Sequence, residues 1–244
     1  MIQPNSGMLH SGDANLFYVD YPAPFPGAQT IVFLHGNGED HRYFSEQIAY
    51  FRDRYRLVLM DSRGHGKSEF GSRGLDFSIF SEDLCRLMDF LDIPSAHLLG
   101  FSDGGNLALT FALRHPQRVR SLILNGANLK PSGMKPGVLL AVLMEYGWCK
   151  VASIWSQNQR KKLEILGLMV HHPHIEPKQL EALPMPALVI VGEQDMIRHR
   201  HSRMIADSLP NADFVCLKGA DHFCAAKVPE AFCRATEEFL SKLS

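Results

Sequence analysis

The chain has 244 residues, 45% hydrophobic and 21% charged, an ordinary globular composition that excludes a disordered, collagen-like or repetitive protein. Its 25 Lys and Arg offset 26 Asp and Glu, a formal charge of −1, so there is no basic field for gripping a phosphate backbone and nucleic acid is not expected as a partner. The longest apolar run, Val138 to Met144, is too short to cross a bilayer.

Met1 to Asp20 has neither the cationic start nor the apolar stretch of a signal peptide. Five cysteines, at 85, 149, 216, 224 and 233, form no CxxC pair, and an odd number cannot all pair within one chain. Reduced thiols and a cytoplasmic protein without membrane contact are therefore expected. The oligomeric state is not written in the sequence.

Along the chain, Asn15 to Asp20 reads as an antiparallel edge strand before a loop holding Pro22, Pro24 and Pro26. From Thr30 onward, short runs rich in Val, Ile and Leu alternate with segments of helical period, the pattern of a mostly parallel sheet wrapped by helices. The strands expected are Thr30 to His35, Arg56 to Asp61, Ala96 to Phe101, Val119 to Asn125, Ala187 to Gly192 and Asp213 to Leu217. Each is apolar almost throughout, as strands buried on both faces are. Phe77, Phe80, Leu84, Leu87 and Leu91 recur at helical spacing, with Asp76 or Ser78 as cap, and so do Val228, Phe232, Ala235 and Phe239, with Pro229 in the first turn.

Asn128 to Pro186 breaks that rhythm, with no strand-like run between Pro131 and Pro186. It reads as a helical insertion, residues 128–186, in a core made of 1–127 and 187–244. Its Val138 to Trp155 segment is apolar around much of a helix, more than one buried stripe requires. Either part of that surface faces a cavity, or the helix lies flat on the main domain. On the first reading Leu143, Trp148 and Trp155 contact substrate.

The strand Ala96 to Phe101 runs into Gly100-Phe101-Ser102-Asp103-Gly104-Gly105, and Asn106 to His115 reads as a helix. This is a G-x-S-x-G elbow in its strand, turn, helix setting. A serine on so tight a turn has strained backbone angles, and side chains at Gly100 and Gly104 would strike the neighbouring strand and helix. A serine hydroxyl also needs a base and a carboxylate to orient it. Asp195 follows the strand Ala187 to Gly192, and His222 follows Asp213 to Leu217, giving the order Ser, Asp, His. Glu193 and Asp221 compete for the acid role. Asp221 would have to fold back on its own neighbour, and Asp195 is preferred. Backbone N–H groups of Asn37, in the turn His35-Gly36-Asn37-Gly38, and of Asp103 are placed to receive an oxyanion.

On that turn, the loop Asp61-Ser62-Arg63-Gly64-His65-Gly66-Lys67-Ser68, Gly100 to Gly105, the Pro184 to Asp195 segment and Asp221-His222, the chain resembles members of the α/β-hydrolase superfamily. The likeness covers about residues 15 to 242, in the branch with one short helical cap. The resemblance implies a sheet of about eight strands, a Ser102, Asp195, His222 triad, no cofactor and a cap over the pocket. It names no substrate.

The expected activity is hydrolysis of a small to medium carboxylic ester or thioester, with no metal. Carbon–carbon bond hydrolase, lactonase and cofactor-free perhydrolase chemistry use the same triad, and a non-catalytic small-molecule receptor on the same fold is the alternative of another class. Asp103 is expected near the mouth of the site with Glu39 and Asp40, an acidic rim that would favour amine-bearing esters. Alternatively, Asp103 pairs with a base of the insertion and Asp40 caps a helix starting at His41. Arg63, His65 and Lys67 are given a structural role, His171, His172 and His174 a solvated one, and Cys224 that of a buried apolar group.

Overall fold

The computed structural model describes residues 3–243; Met1, Ile2 and Ser244, which belong to the leader and core readings above, lie outside the described residues. Eight strands, β1 (Asn5–Ser11), β2 (Ala14–Tyr21), β3 (Thr30–Leu34), β4 (Arg56–Met60), β5 (Ala96–Phe101), β6 (Val119–Asn125), β7 (Ala187–Gly192) and β8 (Ala212–Leu217), form one sheet in the order β1-β2-β4-β3-β5-β6-β7-β8. From β4 to β8 every pairing is parallel, and β2 runs antiparallel to both its neighbours. The expected α/β class and mostly parallel sheet are therefore present.

One expectation is corrected. The segment Asn15 to Asp20 is not an edge, because β2 pairs with β1 on one side and β4 on the other. The edge strand β1, Asn-Ser-Gly-Met-Leu-His-Ser, buries only Leu9 and Ser11, so it carries too little apolar signal to be read as a strand.

Helices α1 (Ser45–Phe51), α2 (Phe77–Phe90), α3 (Asp103–Arg114), α4 (Pro136–Ala152), α5 (Gln157–His171), α6 (Pro177–Leu180), α7 (His199–Ser208), α8 (Cys224–Lys227) and α9 (Pro229–Ser241) follow the strands. Asp76, not Ser78, caps α2 by accepting from the Ser78 N–H, and Pro229 opens α9. The two-residue period of β3 sends Val32 and Leu34 to one face of the sheet and Ile31 and Phe33 to the other. Phe80, Leu84, Phe111 and Ile205 of α2, α3 and α7 cover the first face. Phe51, Phe232 and Phe239 of α1 and α9 cover the second. Burial of such side chains stabilises the fold by about 1.5–3 kcal/mol each.

Between β6 and β7 the chain forms α4, α5 and α6 and no named strand among the described residues. Helix α4 buries Val142 and Cys149. Its other side carries Leu140, Leu143, Met144, Trp148 and Val151, continued by Ile154 and Trp155, at 44 to 78% exposure. The surplus apolar surface of α4 itself therefore stands exposed rather than packed on the main domain, and Ile154 and Trp155 beyond it line a cavity.

Behind the sheet edge, Arg63 is fully buried and donates to both oxygens of Asp83, to Asp13 and to the Ser11 carbonyl. This pins the Asp61 to Ser68 loop to β1 and α2. Removing one partner of a buried ion pair strands the other, at a cost of about 3–5 kcal/mol. Arg63→Ala is accordingly expected to lose about that much unfolding free energy in urea denaturation.

Candidate active site

Ser102 sits between β5 and α3 with φ 52° and ψ −116°, a left-handed conformation rare for a residue with a Cβ. The contacts around it require glycine. A Cβ on Gly100 would lie 2.3 Å from the Gly104 carbonyl oxygen, and one on Gly104 would lie 1.9 Å from that of Leu34. The turn is therefore pressed directly onto β3, with the serine at its apex. Its N–H is held by the Asn125 carbonyl at 2.7 Å, and its own carbonyl accepts from Gly105 and Asn106.

Two further sheet edges supply the partners. His222 Nε2 lies 3.0 Å from Ser102 Oγ, and His222 Nδ1 lies 2.7 Å from Asp195 Oδ1. The Ile197 N–H also donates to Asp195 Oδ1 at 2.8 Å, which fixes the carboxylate. The imidazole rests against Gly126, where a Cβ would come within 2.7 Å of it, and beside the Phe101 ring. Both rival carboxylates are occupied elsewhere: Glu193 accepts from the Gly219 N–H, and Asp221 from the Phe223 N–H and Lys227.

Asn37 lies at the end of β3, beside the elbow: a Cβ on the adjoining Gly36 would be 3.2 Å from that of Ser102. The Asn37 side chain donates to Asp103 Oδ2 at 2.9 Å and to the Ile165 carbonyl of α5 at 2.8 Å. Asp103 is the first residue of α3, where a backbone N–H has no intrahelical acceptor. Its side chain is only 8% exposed, so it does not belong to an acidic rim and does not pair with a base of the insertion. Asn106 holds its other oxygen at 3.1 Å. Burial pushes this carboxyl up to about 6 against the pull of the two asparagines and of His222. Asp40 instead caps the short turn His41–Phe44 and binds Arg42, which holds its carboxyl down at about 2.

The polar network behind Asp103 is not signalled in the sequence. Asn106 donates to Asn128 Oδ1 and accepts from the Asn128 N–H, and the Leu129 N–H donates to His201 Nε2. These bonds tie the start of the insertion to α3 and α7. The one local sign is a polar Asn106 within the otherwise small and apolar start of α3.

Leu143 and Trp148 are not brought against Ser102; they stand 44% and 68% exposed on the outer side of α4. Trp155 lines a separate cavity of about 420 Å³ with Phe70 and Arg160. A larger cavity, about 780 Å³, opens beside the Asn37 turn and is lined by Asn37, Phe70, Lys161, Ile165 and Leu166. The Cys224 thiol is buried and pushed up to about 12 by that burial, so it stays protonated. Asp40, His41 and Asp61 stand close enough to share a cation. Their oxygens are already engaged, Asp61 by His41 and the Lys67 N–H and Asp40 by Arg42. Of the insertion's histidines, His171 meets the Tyr146 hydroxyl and His172 meets Asp76.

The family model of the alpha/beta hydrolase fold matches residues 29–148. The RutD protein of Caulobacter sp. (strain K31), assigned provisionally as a carbamate hydrolase, is 28% identical over 96% of this chain and 98% of its own. A 2-hydroxy-6-oxononadienedioate/2-hydroxy-6-oxononatrienedioate hydrolase of Paraburkholderia phymatum is 27% identical over 92% and 91%. Among solved structures, a thermophilic esterase from Thermogutta terrifontis superposes with a TM-score of 0.78 at 21% identity, covering 99% of each chain.

Three buried histidines around this framework, His65, His97 and His201, are each pushed down to about 4, chiefly by burial. The unfolded chain protonates them near 6.5, so between 6.5 and 4 it binds more protons than the fold, and stability is lost as pH falls. Asp103 acts in the opposite sense, since its raised carboxyl takes up its proton first in the folded state. His35 and His115 are lowered by burial as well, and Glu39 is raised with Asp103; the lowered histidines outnumber the raised carboxyls and predict a net fall in unfolding free energy from about pH 6.5 to 4. His97→Gln is expected to make that decline shallower in urea titrations at stepped pH.

Proposed function

The chain belongs to the α/β-hydrolase superfamily and is a hydrolase; we propose that it cleaves a small to medium carboxylic ester or thioester through a Ser102 acyl-enzyme. The observation that carries this reading is the unbroken series of contacts from Asp195 through His222 to Ser102, 2.7 and 3.0 Å long. With its Nδ1–H given to Asp195, the imidazole presents a free Nε2 to the serine O–H. His222 takes that proton as Ser102 Oγ bonds to the substrate carbonyl carbon. The carbonyl oxygen becomes an oxyanion received by the backbone N–H groups of Asn37 and Asp103. The alcohol or thiol then leaves with the proton from His222, and water repeats the sequence on the acyl-serine, returning the hydroxyl and freeing the acid.

In this reading residues 1–127 and 187–244 are the catalytic core and 128–186 a cap. Support comes from the Asn37 bond to Ile165, which joins the oxyanion turn to α5. The cavity beside Asn37, with Phe70, Ile165 and Leu166 in its wall, suits an apolar acyl or alcohol group. Five unpaired thiols fit a reducing compartment such as the cytoplasm, and no helix among the described residues is long and apolar enough to cross a membrane. A second reading, carbon–carbon bond hydrolysis with the same residues, is favoured by the Paraburkholderia relative.

A fluorophosphonate probe is expected to label the native chain and not Ser102→Ala, and that substitution is expected to lower p-nitrophenyl butyrate turnover at least about 10³-fold. Absence of labelling in the folded native chain would favour a non-catalytic receptor. Within an ester panel, faster turnover of the relative's dienedioate than of every ester would move the assignment to carbon–carbon cleavage.

A further inference from the structure

The two residues whose backbone N–H groups receive the oxyanion in the proposed reaction are 66 positions apart, and their side chains are bonded to each other. Asn37 Nδ2 donates to Asp103 Oδ2 at 2.9 Å, across the site from the end of β3 to the first turn of α3. Among the described residues neither backbone N–H is spent on a backbone acceptor.

Local geometry does not aim the Asn37 N–H. Gly36 is pressed on Phe101, where a Cβ would come within 2.8 Å, but Gly38 has φ +75° and a Cβ there would meet nothing within 4 Å. One half of the turn is therefore packed and the other stands clear, closed only on itself by the Glu39 N–H on the Gly36 carbonyl at 3.2 Å. Glycines on both sides give Asn37 a freer backbone than other residues would. The Asp103 N–H, by contrast, is fixed as the opening of a 12-residue helix.

The amides on either side of Asp103 have one orientation each. Asn37 gives its second hydrogen to the Ile165 carbonyl at 2.8 Å, so its amide cannot turn over without setting oxygen against oxygen. Asn106 is fixed likewise, donating to Asn128 Oδ1 and accepting from the Asn128 N–H. Both present hydrogens to Asp103, which accepts on each of its oxygens, as a carboxylate does. A buried carboxylate that merely filled space would be costly; the two amides it grips account for its charge.

On the acyl-enzyme reading, on which this rests, we propose that the Asn37 and Asp103 side chains are positioning residues, a clamp that fixes the spacing of the two N–H groups on which the oxyanion forms. Neither side chain touches the reacting atoms. The clamp matters where charge has developed on the substrate oxygen, so it acts on the transition state and not on the bound ester.

An alkyl trifluoromethyl ketone tests this. Ser102 Oγ bonds to its carbonyl carbon, the serine proton passes to His222, and the carbonyl oxygen becomes a lasting oxyanion with no group lost. Asn37→Ala and Asp103→Ala each keep the backbone N–H and remove the clamp. Deleting a whole oxyanion donor costs about 10²–10³ in rate, and misplacing one costs less. Each variant is therefore expected to lower p-nitrophenyl butyrate kcat, and to weaken ketone inhibition, by one shared factor of about 10 to 100, with KM within about twofold of native. The double variant is expected to be no worse than the poorer single one, because groups acting as a unit are not additive. Partial unfolding would instead lower the fraction of chains that the ketone titrates and leave the inhibition constant of the rest unchanged, and that result overturns the clamp. So do single effects that multiply in the double variant, or a raised KM with kcat unchanged, which would make the pair substrate-binding groups. A native chain that neither takes a fluorophosphonate nor binds the ketone overturns the acyl-enzyme reading itself.

Discussion

Everything in the site is referred to one strained peptide: the Ser102 backbone at φ 52°, a conformation that costs about 1–3 kcal/mol and persists only where surrounding structure over-determines it. Here the over-determination is visible. Gly100 and Gly104 bring strand, turn and helix within backbone contact, and the Ser102 N–H is clamped by Asn125 of β6. The strain is thus held by three strands of a buried sheet, and the hydroxyl has a fixed origin from which His222 and Asp195 are reached by loops following β8 and β7. Rigid elements place these groups more narrowly than loops alone do.

A second layer of constraint runs through Asn37. Both hydrogens of its amide are committed, one to Asp103 beside the serine and one to a carbonyl of α5. Asp103 in turn leans on Asn106, and Asn106 on Asn128. Buried polar groups are costly unless every member is satisfied. The turn after β3, the elbow and the insertion are therefore positioned by one set of hydrogen bonds, and none of the three is free to shift alone.

How much of this is legible in the sequence depends on whether the cause is local. The elbow is legible because its glycines are demanded by atoms a few residues away, Asp195 because it follows the buried strand β7, and His222 because it follows β8, which is apolar enough to read as a strand although it is a half-exposed edge. The links from Asn128 to Asn106 and from Leu129 to His201 span 22 and 72 residues, and nothing near any of them announces the other. Asp103 is misread for the same reason: its charge suggests a mouth, while its burial is decided by Asn37, 66 residues upstream. Strand β1 escapes because a polar edge strand needs only two inward side chains. The apolar excess of α4 is plain in the sequence, but composition reports that a surface wants covering, not which body covers it.

The clearance at Gly104 has a consequence for how such a protein diversifies. With a β3 carbonyl 1.9 Å from where a methyl would sit, no graded series of replacements is open there; any side chain either breaks the turn or displaces the strand. Change at the reactive centre is all or nothing, whereas the exposed side chains on the outer side of α4 touch no part of the elbow. Lineages descended from this chain would then vary at exposed positions such as those of α4, while the serine stays where it is.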